Sequence, residues 1–234
     1  MLSVHLEGYL TYTTAHYIFH YREHSLAARE LGDIALTQED SIARIIKALG
    51  VAPDFPLHYI FVDTPEEAGA IYLAAFDMEI GPINGFAAYP DTIVAVYNAE
   101  VRCIGAHEDT HLIAHLIGDP QQAFLIEGVA MAMDEVWWGE PNERWVRRFL
   151  QDGRYIPVPT LLDNATFYNT PTEITYPIAG AFIQWCATKV PMVQLIQQIY
   201  TAERHAEESL PQALGISLAE AETAFEESMI IPKG

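Results

Sequence analysis

The sequence predicts an α+β fold, and three observations predict it. Strand-like and helix-like stretches alternate through residues 1–99, whereas the pattern from Glu100 onward is helical. Half of the 234 residues are hydrophobic and 19% are charged, the balance of a chain that buries a core. No internal repeat or low-complexity segment interrupts it. This layout implies one domain, residues 1–234, with a sheet-containing lobe over 1–99 and a helical lobe over 100–234, a length sufficient for a sizeable core.

The elements follow in order. "TAHYIFHYREH", residues 14–24, alternates polar and apolar residues and reads as a strand. From Ser25 to Gly50, apolar residues such as Ile34, Ile42, Ile45 and Leu49 recur at helical spacing, with Ser25 as cap and Gly50 as stop. "PLHYIFVD" is a short buried-type strand. "TPEEAGAIYLAAF" is a helix with Thr64 as N-cap and Pro65 in the first helical position. "NGFAAYPDTIVAVYN", residues 84–98, reads as two strands joined at Pro90-Asp91. Helices are expected over 101–117, 122–138, 141–151, 177–188, 191–204 and 217–229. Residues 153–176, rich in Pro, Thr and Asn, read as a long loop with room for one short turn.

The formal net charge of −20, with only 12 Lys and Arg, disfavours phosphate backbones and anionic lipid, so no nucleic-acid partner is expected. No apolar run has transmembrane length, so no membrane insertion is expected. The start, "MLSVHLEGYLTYTT", carries no visible signal peptide, which fits both a cytoplasmic protein and an exported one whose leader has been removed. Cys103 and Cys186 have no finger-like spacing; they read as buried thiols, with a single long-range disulfide as the alternative.

The chemistry concentrates in "CIGAHEDTHLIAHLIGDP". On a helix, His107 and His111 stand one above the other on one face and can converge on one ion at about 2.0–2.1 Å per Zn–N bond. Glu108 lies about 100° round the helix, where it reaches a water rather than the ion. Such an H-E-x-x-H pattern arises by chance in a chain like this on the order of a few per cent of the time, so its surroundings decide. A third ligand is needed. His115 is about 6 Å further along the axis. The helix bend that would bring in a later histidine needs a Gly and a His where Ala114 and Ile117 stand. Glu127, between Ile126 and Gly128 in the apolar run "AFLIEGVAMAMDEVWWG", is the better source, because a carboxylate there is costly unless paired or cation-bound. Gly128 beside it would let the histidine helix and the Glu127 helix approach closely.

His107-Glu108-Asp109-Thr110-His111 followed by "FLIEGVAMAMD" resembles the gluzincin superfamily of zinc metallopeptidases, whose members share the thermolysin-like and aminopeptidase-like catalytic domain. "NGFAAYPDTIVAVYN" looks like that family's substrate-pairing edge strand. "YPIAGAFIQWCATKV" resembles the helix after the active-site tyrosine in peptidase MA-like members. The likeness covers roughly residues 55–230 in order, with 15 residues between His111 and Glu127, fewer than in the best-known members. It implies a zincin-like fold and a Zn²⁺ ion on His107, His111 and Glu127. It further implies hydrolysis of peptide or protein substrates by a metal-activated water, with Glu108 as general base. Tyr176 is the matching oxyanion donor, the alternative being a tyrosine that caps a core helix; Tyr168 and His205 are weaker candidates. Gly85, Phe86, Ala87 and Ala88 would hold the substrate backbone by strand addition.

Departures matter. The thermolysin-like pattern places an Asp four residues after the glutamate ligand, where this chain has Met131; Asp134, two turns on from Glu127, is the candidate acceptor in its place. "GFAAY" replaces the G-x-M-E-N of the aminopeptidases, which removes the main support for that activity. A zinc-bearing peptide-binding module with weak or no catalysis is the alternative from another class, and a metal-free helix with two histidines is the third. His5, His16, His20, His24 and His58 lack ligand spacing. Trp137 and Trp138 read as packing, and Glu220, Glu222, Glu226 and Glu227 as a solvated helix face.

Overall fold

The computed structural model describes residues 6–201 and 203–230. His5, with the rest of residues 1–5, lies outside the described residues. The fold is mixed α and β, as the alternation predicts. The chain divides into two compact units between Leu116 and Ile117. The helix that carries both histidines falls within the first of them.

The first unit is built on a five-stranded sheet of β1 (Tyr9–Thr13), β2 (Tyr17–Arg22), β3 (Leu57–Val62), β4 (Gly85–Ala88) and β5 (Thr92–Val96), in the order β1-β2-β3-β5-β4. The β1/β2 and β4/β5 pairs are antiparallel; β2/β3 and β3/β5 are parallel. Parallel neighbours need crossovers. α1 (Leu26–Leu49) supplies the first and α2 (Pro65–Phe76) belongs to the second. The predicted caps form: the Ser25 side chain accepts from Ala28 N–H and Thr64 from Glu67 N–H, while Gly50 adopts the left-handed conformation that ends α1. One sheet face carries the buried aromatics Tyr17, Phe19, Tyr59 and Phe61, with the Tyr17 hydroxyl reaching the Gln38 carbonyl of α1. The other carries Ile60, Val62, Phe86, Ala88, Val94 and Val96 together with Ala68 of α2. β1 escaped the sequence reading because four of its five residues are exposed, leaving no alternation to read.

α3 (His107–His115) closes the first unit, packing on α1, β4 and β5. It is shorter than the helix expected over 101–117. Arg102 bridges Tyr97 and the Cys103 N–H donates to the Val96 carbonyl, so the chain still runs as sheet there, and the helix begins only after Gly105 at a φ of 129°.

The second unit is helical: α4 (Ala123–Asp134), a two-stranded ribbon of β6 (Val136–Trp137) and β7 (Glu140–Pro141), α5 (Asn142–Asp152), α6 (Val158–Leu161), α7 (Asn164–Asn169), α8 (Thr172–Ala187), α9 (Met192–Ile199), α10 (Ala206–Leu214) and α11 (Leu218–Ile230). Its core is the α4–α8 pair, where the backbones meet at two glycines. A Cβ on Gly128 would lie 3.1 Å from the Ala179 carbonyl oxygen, and one on Gly180 would lie 2.6 Å from Met131 Cβ. Gly128 thus admits α8. The expected loop over 153–176 holds α6, α7 and the start of α8. Its punctuating residues are helix starts: Pro157 and Pro171 occupy N-cap positions, and the Asp163 side chain accepts from Thr166 N–H. α8 consequently begins before Tyr176, with Pro177 inside it. The helix placed over 122–138 stops at Asp134, where Glu135 turns left-handed, and the one placed over 191–204 stops at Ile199. α10 was not anticipated; Pro211 sits inside it. Glu222, expected on a solvated helix face, lies buried instead. It is 9% exposed, not solvated, and accepts from the Tyr155 hydroxyl at 2.8 Å and the Val158 N–H at 3.1 Å.

No helix among the described residues is long and apolar enough to cross a membrane. Neither Cys103 nor Cys186 forms a disulfide.

Candidate metal centre

α3 puts the two histidines where the spacing predicts. Their Nε2 atoms lie 3.3 Å apart, with ring centroids 4.8 Å apart and planes at 87°. Two nitrogens bound to one tetrahedral ion at about 2.0–2.1 Å are separated by about 3.3–3.4 Å, so the pair has the span that a zinc ion demands. His111 is 9% exposed and His107 and Glu108 are half-buried, which limits competition from bulk water while leaving access.

Glu127 comes from the middle of α4, half-buried on a helix that is otherwise mostly core. One ligand atom from each of His107, His111 and Glu127 lies within 4.8 Å of the other two, the one such three-residue group of His, Cys, Asp or Glu found among the described residues. Two neutral nitrogens and one carboxylate suit a borderline-soft divalent ion and give a net charge that such an ion outweighs. His115 does not join the group. Its ring stacks on Tyr89 with centroids 3.9 Å apart. His20 and His58 stack on each other with Nε2 2.9 Å from Nδ1, and His16 pairs with Glu39 at 2.6 Å.

Glu108 faces the sheet edge. The point where a Cβ on Gly85 would sit is 3.6 Å from Glu108 Oε1 and 2.6 Å from Cys103 Sγ. Glycine at 85 therefore makes room for both groups beside β4. The expected edge position of that strand is met: β4 ends the sheet, paired only with β5 among the strands. Its register divides the four residues into two kinds. Val96 N–H donates to the Asn84 carbonyl, so Asn84, Phe86 and Ala88 turn their backbone groups toward β5. Gly85 and Ala87 turn theirs outward, available to an added strand. Phe86 and Ala88, buried in the sheet core, are lost from the expected set of backbone contacts.

In the second unit, Tyr176 lies within α8 and its ring packs between Trp137 (5.4 Å) and Phe167 (6.2 Å). Tyr168 is 72% exposed on α7, and His205 shares a 2.7 Å contact with Gln122 Nε2. Asp134 is half-buried in the last residue of α4. Met131, four residues after Glu127, is fully buried against α8. Trp138 is 75% exposed, so it is not packing as expected, whereas Trp137 is partly covered.

Sequence reasoning missed Asp109. It is fully buried on the side of α3 away from the histidines, where its Oδ2 accepts from the Tyr17 hydroxyl at 2.6 Å and from Gln38 Nε2 at 3.0 Å. Burial first, and then the Asp109 charge, push the Tyr17 phenol far above its ordinary range, so it stays protonated and donates. The signal was present: Asp109 precedes Leu112 and Ile113 by three and four residues and so shares their apolar face.

Neither the scan against models of protein families nor the search of curated proteins returns a match to this chain.

Proposed function

We propose that this chain is a zinc-dependent peptidase with a zincin-like, gluzincin-type catalytic fold. The observation that carries the reading is the convergence of His107, His111 and Glu127, all within 4.8 Å, with Glu108 one residue from the first ligand. Those three residues would hold the ion, which when bound supplies Lewis acidity and lowers the pKa of a coordinated water. The remaining steps belong to the chain. Gly85 and Ala87 hydrogen-bond an extended peptide through their outward backbone groups and align it along β4. Glu108 accepts the proton of the attacking water on a carboxylate oxygen and passes it to the departing amine nitrogen, so the base is regenerated as the peptide bond breaks. Tyr176 donates its phenolic hydrogen to the carbonyl oxygen as negative charge develops there.

Two measurements test this. Elemental mass spectrometry of the tag-free protein should give close to one zinc per chain; no bound metal after incubation with zinc and a wash would remove the centre. Glu108→Gln should retain that zinc and abolish cleavage of an unbiased peptide mixture. Zinc retained with no cleavage by the wild type would leave a peptide-binding module, and an unchanged rate in the variant would remove Glu108 as base.

A further inference from the structure

We infer that Asp109 is a positioning residue for the metal centre: with Tyr17 and Gln38 it clamps the back of α3 and thereby fixes the direction in which the helix presents His107 and His111. The inference rests on the proposed centre and adds a part of it that the ligand pattern does not contain.

The argument starts from how little α3 has of its own. It is nine residues long, below the roughly 12–15 at which isolated helices persist, and its N-cap Ala106 makes no side-chain capping bond. Its orientation must come from tertiary contacts. At 100° per residue, His107 and His111 differ by about 40° around the axis, whereas Asp109 lies about 160° from each. It therefore holds the helix from the side opposite the ligands.

The holding is specific. Asp109 Oδ2 receives the Tyr17 hydroxyl from β2 and the Gln38 amide from α1. Gln38 also grips the approach to the helix at both of its amide atoms: Nε2 donates to the Gly105 carbonyl at 3.1 Å, and Oε1 accepts from the Gly105 N–H at 2.8 Å. The Tyr17 hydroxyl additionally reaches the Gln38 carbonyl at 3.2 Å. Tyr17 and Gln38 are both fully buried. One network thus fixes the residue two before the first ligand and the residue midway between the ligands. The consequence is geometric. A rotation of α3 by about 20° moves an atom about 6 Å from its axis by about 2 Å, as long as the Zn–N bond itself. A buried charge with oriented donors resists such rotation more than apolar packing does.

The test compares Asp109→Ala and Asp109→Asn with Phe225→Ala, a core truncation on α11 in the second unit. Zinc affinity is measured by competition with a chromogenic chelator, the Co²⁺-substituted forms by visible absorption, and the metal-free proteins by amide hydrogen exchange. Asp109→Ala is expected to weaken zinc at least ten-fold, alter the Co²⁺ absorption and speed exchange in α3 without metal. Asp109→Asn, which keeps an acceptor oxygen, should recover most of the affinity, and Phe225→Ala should lose stability with affinity unchanged. Wild-type affinity and absorption in Asp109→Ala, or a loss no greater than that of Phe225→Ala, would overturn the inference while the metal centre stands. Failure of the wild type to bind zinc removes the centre and this inference together. Should Asp109→Ala not fold, Tyr17→Phe carries the test: a several-fold loss of affinity is expected, and none would refute the clamp.

Discussion

Replacing Glu222 by Gln should flatten the dependence of stability on pH between about 4.5 and 7. The Glu222 carboxyl is pushed from its ordinary 4.5 up to about 7, by burial above all and further by the neighbouring Glu226, while the Tyr155 and Val158 hydrogen bonds pull it down. The sign follows. With the folded value raised, the unfolded chain gives up this proton first. Stability is unaffected below about 4.5, falls as pH rises toward 7, and stays at its lower level above. A shift of this size corresponds to at most about 3 kcal/mol, and about 1–3 kcal/mol is the working range for a partly solvated neighbourhood. Gln keeps an acceptor oxygen for Val158 N–H and offers a donor to the Tyr155 hydroxyl oxygen, so the contacts of α11 with 155–158 survive without the charge. Urea melts of wild type and variant at pH 5, 6, 7 and 8 read the difference. Taking the difference cancels groups common to both, such as Glu67, whose lowered carboxyl favours stability as pH rises from acid. The variant should gain on the wild type steadily from pH 5 to 7 and then hold its lead. Parallel curves would show that Glu222 is ionised without penalty, and the burial argument would fail.

Further expectations concern the α4–α8 contact and the proposed ligands. Gly180→Ala places a Cβ 2.6 Å from Met131 Cβ and 2.7 Å from Asn142 Nδ2, the atom that donates to the Met131 carbonyl, so about 2–4 kcal/mol should be lost in thermal or urea unfolding. Gly128→Ala meets only contacts of 3.0–3.3 Å and should cost less, its clash partly offset by about 1 kcal/mol of helix propensity; the reverse order would contradict the packing. For the proposed ligands, Glu127→Ala should weaken zinc more than roughly ten-fold in chelator competition, whereas His115→Phe should leave it unchanged because that ring stacks on Tyr89 and stands outside the group of three. Retention by the first and loss by the second would exchange the two residues' roles.

The parts of the molecule legible in the sequence are those written in local chemistry. Ser25, Gly50, Thr64 and Pro65 mark helix ends because capping involves a few adjacent residues, and those ends fall where expected. The histidine pair was legible for the same reason: four residues on a helix fix a distance. What failed depended on partners remote in sequence. Cys103 and Arg102 read as helical, yet they complete the sheet against Val96 and Tyr97. The prolines of 153–176 read as breakers, but a proline also opens a helix, and the pattern does not tell which until the helix finds a surface to pack on. Glu222 has charged companions at 220, 226 and 227 and reads as one of a solvated set. Its burial is decided by Tyr155 and Val158, more than sixty residues earlier. Gly128 signalled a close approach correctly, but the sequence could not say of which helix.

Met131 shows how such remote packing sets what a helix position can hold. The gluzincin pattern would place an acid there, four residues after Glu127 and about 40° round α4. In this chain that direction is occupied: Met131 is fully buried, its Cβ at the distance that Gly180 alone permits, and its carbonyl is held by Asn142. A carboxylate at 131 would lie buried in the α4–α8 contact, where an uncompensated charge costs several kcal/mol. Asp134 lies only about 20° from Glu127, on its other side, and is half-buried. A packing residue at 131 and an acid at 134 therefore both fit the α4–α8 contact. Pressing α8 onto α4 through Gly128 and Gly180 closes the first position to charge and leaves the second on the same side of α4 as the glutamate. The departure from the pattern is then a reason to expect a differently buttressed centre, not a reason to expect none.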